Sequence, residues 1–193
     1  MAQVRITPLV SPVFDLWKTT GKSLSLTVHG NSMRPLLRPG DRVTIRMAGP
    51  ADVRRGDIVA FRQGEGIVVH RCVGWRTAGG SKWFCEKGDS QAAWRWVPED
   101  HVAGRVESLE RDGRARDMGR WPWSLLNRLL GSMWSFWIGA CETRRAEGPD
   151  PFRDPPDGSV PVGMPRFVVK GVNRICRLAL AVAVKMTGKP GVR

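Results

Sequence analysis

The chain lacks any long apolar run. Nowhere do 18 or more apolar residues stand together, the length a helix needs to cross a bilayer. The amino end carries no basic-then-apolar leader of the secretory kind. These absences predict a chain with no amino-terminal anchor, placed in the cytoplasm or held peripherally at a membrane. Cysteine is sparse: Cys72, Cys85, Cys141 and Cys176. None forms a CxxC pair and no histidine stands at zinc-ligand spacing, so no metal site is expected, and no cofactor. Reduced, buried packing thiols are the simpler reading, while an oxidising compartment would let Cys72 and Cys85 pair across neighbouring strands. Histidine is sparser still, with only His29, His70 and His101. Any imidazole chemistry rests on one of these three.

Acidic residues are also short in supply. Eighteen Asp and Glu face 31 Lys and Arg, a formal charge of +13. Such an excess suits a polyanionic surface, either nucleic acid or anionic lipid. It is unevenly spread: residues 1–110 hold 16 basic against 11 acidic side chains, net +5, and residues 111–193 hold 15 against 7, net +8. What is present is adequate for folding. At 193 residues and 41% hydrophobic content, the chain can bury one sizeable core and carry an appendage.

From Ser23 the pattern is β-like. Leu24, Leu26 and Val28 alternate with Ser25, Thr27 and His29 up to Gly30, the period of a half-buried strand. Arg42-Val43-Thr44-Ile45-Arg46 alternates again after a Pro39-Gly40 turn. Residues 58–61, 67–73, 83–85 and 102–106 are further strand-like runs. Short strands at regular spacing predict a mainly β, twisted antiparallel domain over residues 1–110, with a brief helix near Val13-Phe14-Asp15-Leu16-Trp17. Residues 110–120 are charged and Gly-containing, a loop at the domain edge. Three segments follow: a Trp-rich amphipathic stretch at 111–145, a Pro-rich linker at 146–166 and a basic amphipathic helix at 167–193.

Four ordered blocks carry the candidate chemistry. They are Gly30-Asn31-Ser32-Met33-Arg34-Pro35, then Arg55-Gly56-Asp57-Ile58-Val59-Ala60-Phe61, Val69-His70-Arg71 and Glu86-Lys87-Gly88-Asp89-Ser90. A serine hydroxyl is a poor nucleophile until a base takes its proton, an imidazole can be that base, and a carboxylate can orient the imidazole. Ser32, His70 and Asp89 are the residues offered for those roles. In this order and spacing the blocks resemble the signal peptidase family and its relatives, the self-cleaving LexA-type repressors, over about residues 24–108. The resemblance implies a nucleophile in the Ser32-Met33 pair. It implies a base at His70, as in the endoplasmic-reticulum and archaeal signal peptidases, and a supporting Asp89 from the Lys-Gly-Asp loop. Asp57 is a rival carboxylate, though its place before a strand reads as turn capping. Gly40 and Asp41 read as turn formers.

Bacterial signal peptidases often place a serine two residues before the nucleophile; here that position is Gly30. The oxyanion donors would then be the backbone N–H of Ser32 and the side chain of Asn31. Met33 is expected beneath the nucleophile, and with Trp94 and Trp96 at the substrate groove, core packing being the other use of the tryptophans. His29 and His101 read as solvated surface residues.

The expected function is a serine endopeptidase that matures a peptide or protein precursor, bound extended along a strand edge. Small residues at the cleavage site are what the resemblance implies. Two other classes stay open: a catalytically weak or inactive peptidase fold that binds a membrane or partner, and a LexA-like self-cleaving regulator. Nucleic-acid binding is not expected, because residues 1–23 are too few for a helix-turn-helix domain. In the tail, Trp121, Trp123, Trp134 and Trp137 crowd together with Leu125, Leu126, Leu129 and Leu130. They read either as an interfacial helix or as cover for an open face of the β domain. On the final helix Lys170, Arg174, Arg177 and Lys185 share one face. An anionic membrane surface is thus a candidate partner for residues 121–193.

Overall fold

Alternation decides the sheet. In Arg42–Met47 the side chains of Val43, Ile45 and Met47 are buried while Arg42, Thr44 and Arg46 are not, as a strand with one covered face requires. The computed structural model describes residues 4–5, 21–64, 66–143 and 166–187. Among them nine strands form one antiparallel sheet: β1 (Val4–Arg5), β2 (Ser23–Thr27), β3 (Arg42–Met47), β4 (Ile58–Gln63), β5 (Gly66–Ala78), β6 (Ser81–Lys87), β7 (Trp94–Pro98), β8 (Val102–Arg111) and β9 (Arg114–Asp117). Their order is β2-β3-β8-β4-β5-β6-β7, with β1 added to β5 and β9 to β8. Two helices follow, α1 (Trp123–Thr143) and α2 (Arg166–Thr187). The short helix expected near residues 13–17 and residues 146–165 of the Pro-rich linker lie outside the described residues.

The mainly antiparallel β fold with C-terminal helices is as the sequence predicts. Its strands are longer than their apolar runs. β5 reaches from Gly66 to Ala78 because it changes partner midway: residues 66–71 pair with β4, and residues from Arg71 onward pair with β6. Opposite β4, the edge of residues 66–70 is met, among the described residues, only by Val4 and Arg5, paired with Ile67 and Gly66. Residues 110–120, expected as a plain loop, contain a two-residue hairpin. Asp112 and Gly113 both take positive φ, 53° and 70°, between paired Arg111 and Arg114, which matches the twist of the flanking strands.

One core joins the sheet to both helices. Val43, Ile45 and Leu109 cluster with Leu126, Leu130, Trp134 and Ile138 of α1 and with Val168 and Val172 of α2. A smaller cluster of Val59, Phe61, Cys72, Phe84 and Val102 lies apart from it. The Trp-rich segment therefore covers the sheet with one face, and residue 111 marks no break in the packing. Trp134 is completely buried, its ring 3.7 Å from the Lys87 ammonium, a contact that shields the apolar stem of that buried lysine and attracts its charge.

Two glycines let α1 come this close. A Cβ on Gly131 would lie 2.5 Å from the Gly56 Cα, and one on Gly56 would lie 2.3 Å from the Asn127 carbonyl oxygen. Gly56 also holds φ at +94°, a region that a side chain disfavours. Backbone thus meets backbone where the 54–57 turn passes under the helix.

Candidate active site

The segment after β2 is built to hold Ser32 still. Val28 and Asp41 close its base through Val28 N–H to the Asp41 carbonyl and Gly40 N–H to the Val28 carbonyl, each 2.8 Å. Buried Met33, Leu36 and Leu37 root the turn after the serine in the core. Asp41, expected only as a turn former, is buried and accepts from Arg111 Nε at 2.7 Å and Nη2 at 2.6 Å, and from the Arg38 N–H at 2.7 Å. The hydrogen bond from Arg111 to this carboxylate raises the arginine's pKa despite its partial burial. Arg111 Nη2 also donates to the Leu36 carbonyl at 2.7 Å. One fixed cation thus ties the end of β8 to the loop carrying the serine.

His70, at the partner change of β5, brings its Nε2 to 3.1 Å from Ser32 Oγ. Both side chains are buried. With the proton on Nδ1, Nε2 can accept the hydroxyl proton, the arrangement general-base activation needs.

The carboxylate behind the imidazole is not the expected one. Asp89 is fully buried, and its two oxygens accept from Arg71, Oδ1 from Nε at 2.8 Å and Oδ2 from Nη2 at 2.6 Å. The sequence expectation that Asp89 supports His70 is corrected by this pairing: the aspartate belongs to a bidentate ion pair with the neighbouring residue. Alternation explains it, since Arg71 faces away from His70 on the same strand. Arg71 Nη1 donates to the Gly56 carbonyl at 2.8 Å and to Asn127 Oδ1 at 3.0 Å, so the buried pair is hydrogen-bonded all round. Asp57, the rival, accepts from the Arg54 N–H at 2.9 Å and caps its turn.

Glu86 takes the place instead. Its Oε2 lies 3.4 Å from His70 Nδ1, an ion-pair approach longer than an aligned hydrogen bond. Oε2 accepts no hydrogen bond among the described residues, while Oε1 is held by Arg95 Nε at 2.8 Å and Nη2 at 2.5 Å. Burial pushes the Glu86 carboxyl up, but His70 and Arg95 outweigh it and the pKa falls below the usual 4.5. The carboxylate is therefore ionised, with one oxygen free to meet a developing imidazolium.

The loop after β6 buttresses the serine from behind. Ser90 N–H donates to the Ser32 carbonyl at 2.8 Å, and Ser90 Oγ lies 2.9 Å from that oxygen and 2.7 Å from the Asn31 carbonyl. Lys87 Nζ donates to the carbonyls of Gly88 and Gln91, at 2.9 and 2.6 Å, and shapes the same loop. A Cβ on Gly88 would stand 2.8 Å from the Ser32 carbonyl oxygen. Of the expected oxyanion donors, the Ser32 backbone N–H donates no hydrogen bond among the described residues, and Asn31 is exposed beside it.

Residues 4–94 match the family model described as Peptidase S24-like. This S24-like family comprises serine peptidases of the LexA and signal-peptidase type, and its match spans the elements that carry Ser32, His70 and Glu86. No curated protein matches the chain. In the S24-like region an apolar hollow adjoins Ser32, lined by Leu26, Val28, Met33, Leu37, Ile67 and Val69. Trp94 and Trp96 do not line the hollow: each directs its Nε1 to Glu142 Oε1, at 3.3 and 2.9 Å. They fasten β7 to the far end of α1, so the groove role expected for them is corrected.

Cys72 and Cys85 are free buried thiols. Burial pushes Cys72 up to about 12 and Cys85 well above 9.0, which keeps both protonated and unfit as rival nucleophiles. Among the described residues no three His, Cys, Asp or Glu side chains converge where a metal ion would sit. Sequence reasoning missed Glu86, Arg95 and Ser90. The available signal for Glu86 was strand pairing: it faces Cys72, two residues along from His70 on the same side of β5.

Proposed function

We propose that the protein is a serine endopeptidase of the signal-peptidase-like branch, with Ser32 as nucleophile, His70 as general base and Glu86 orienting the imidazole. The observation that carries this reading is the buried 3.1 Å approach of His70 Nε2 to Ser32 Oγ. A histidine base favours the signal-peptidase-like branch, as do the Ser32-Met33 and Lys87-Gly88-Asp89 blocks. A peptide carbonyl beside Ser32 would be attacked as His70 takes the hydroxyl proton. The alkoxide that forms would meet the Ser32 N–H and Asn31. Collapse of the intermediate returns the proton from the imidazolium to the leaving amine, leaving an acyl-serine that water hydrolyses. The substrate is a peptide or protein precursor, extended along the β5 edge at residues 68–70, next to the Val4–Arg5 pairing, and presenting a small apolar side chain to the hollow beside Ser32. The test is to incubate the purified protein with a peptide library and read new termini by mass spectrometry. Cleavage by wild type and none by Ser32→Ala or His70→Ala supports the mechanism. Equal cleavage by wild type and Ser32→Ala overturns it.

A second reading is self-cleavage in the LexA manner, favoured by Val4–Arg5 lying on β5 three residues from His70. Intact-mass measurement separates the two. Loss of an amino-terminal fragment in wild type, at a rate independent of protein concentration and abolished in Ser32→Ala, supports the intramolecular reading.

A further inference from the structure

The outward faces of the two helices are apolar and cationic, and the catalytic machinery uses neither. On α1 the inward face is buried, while Leu125, Leu129 and Phe136 are exposed, together with Trp121 just ahead of the helix. At the helical turn angle the three side chains of α1 fall within an arc of about 40°. Phe136 is 72% exposed and Trp121 62%. On α2, Phe167, Ile175, Leu178 and Val182 are exposed and fall within about 80°. The exposed Lys170, Arg174 and Arg177 adjoin that arc on one side, and buried Val168, Val172 and Ala183 adjoin it on the other. An apolar arc between a core-facing arc and a cationic one is the cross-section of a helix that lies in a membrane interface.

We infer that the outward faces of α1 and α2 dock the protein flat on an anionic lipid bilayer. Charge selects this occupant. Over residues 123–143 and 166–187 there is one acidic side chain, Glu142, against Arg128, Arg166, Lys170, Arg174, Arg177 and Lys185. Glu142 is occupied, accepting from Trp94 and Trp96. A second copy of the chain would set this cationic surface against itself with no carboxylates to answer it. Nucleic acid would answer the charge and leave the phenylalanines, leucines and isoleucine in water. An anionic bilayer supplies headgroup charge to the arginines and acyl chains to the apolar arc at adjacent depths. Among the described residues no helix is long and apolar enough to cross a membrane, so the contact lies in the plane of the surface. Tryptophan at the entry to α1 suits that depth, its ring apolar and its N–H wet.

The test uses full-length protein and vesicles of phosphatidylcholine alone or mixed with phosphatidylglycerol, sedimented at low and high salt. Binding on the order of a hundredfold tighter to the anionic vesicles is expected, from three exposed cations beside the apolar arc, and it weakens with salt. The triple variant Lys170→Glu, Arg174→Glu, Arg177→Glu removes the preference for anionic lipid. Phe167→Ser with Leu178→Ser removes the binding that survives high salt; both variants alter exposed side chains, and circular dichroism checks that they are folded. Protein left in the supernatant with every vesicle overturns the inference, as does undiminished binding by both variants. Concentration-dependent dimers in light scattering without vesicle binding assign the surface to a second copy, and retention on polyglutamate without vesicle binding assigns it to an acidic protein. Ser32→Ala binds vesicles as wild type does, so the result is independent of catalysis.

Discussion

Two carboxylates three residues apart have opposite duties. Asp89 faces a fully buried arginine, and breaking one side of such a pair costs about 3–5 kcal/mol because the other charge is left buried alone. Asp89→Asn is therefore expected to lower the unfolding free energy from urea melts by that amount, with activity per folded molecule largely kept. Glu86→Gln is expected to weigh the other way: a smaller loss of stability, because its partner Arg95 is partly exposed, and a lower kcat. The loss in kcat should be about 10–100-fold, short of the roughly 10⁴-fold seen for an aligned triad carboxylate, because the approach to His70 is 3.4 Å. Steady-state kinetics beside urea melts on both variants separates the two. Acid stability follows from the same residue. The Glu86 pKa is depressed below 4.5 by His70 and Arg95 against the opposing effect of burial. Its contribution is thus complete above about pH 4.5 and lost as pH falls through the depressed folded value. Glu86→Gln should flatten the acid limb of a stability-versus-pH curve taken from neutral pH downward.

At the scale of elements, the strands were legible wherever one face is buried and the other wet. β2 and β3 alternate cleanly, and the sequence shows it. The ends of β5 and β6 were not legible, because residues 74–78 are strand by pairing with residues 81–85 across their hairpin. Ser32 and His70 could be picked out because order and spacing carry them, whereas Glu86 depends on which residue faces Cys72, a fact of register that no single strand contains. The resemblance drew the eye to Asp89, the right motif residue in a different partnership. The glycine contact between the 54–57 turn and α1 yields the prediction for this scale. Gly131→Ala puts a methyl group where the Gly56 backbone lies and should destabilise by about 1–3 kcal/mol, although alanine is the better helix former in isolation. A rise in melting temperature for Gly131→Ala would show that the helix sits farther from the turn.

For the whole molecule, the family match ends at residue 94 while the packing does not. Leu126, Leu130, Trp134 and Ile138 belong to the core of the sheet, and Asn127 completes the shell around Arg71. A chain ending after Asp117 would uncover Lys87 and Arg71 along with those apolar contacts. It is expected to be insoluble or to lack a cooperative thermal transition, whereas a chain ending after Thr143 keeps one. Differential scanning calorimetry on the two truncations reads the difference. The smallest folded unit thus extends well beyond the sheet that holds Ser32 and His70.

The paired glycines have a consequence for descent. Gly56 is held by its own turn, whose φ of +94° asks for glycine whether or not a helix lies above it. Gly131 has no such local reason; a helix interior favours almost any other residue. Its only constraint is the backbone beneath it, and that same seating delivers Asn127 to Arg71. The two α1 positions should therefore be inherited as a unit. Among related chains, those with asparagine at the position of Asn127 should also carry glycine four residues on. Those that fill the glycine position should have lost the asparagine, with the helix seated elsewhere and the buried arginine given another partner. Aligning sequences that share the first 110 residues would reveal the linkage as covariation between these two sites, independent of any change at Ser32 and His70.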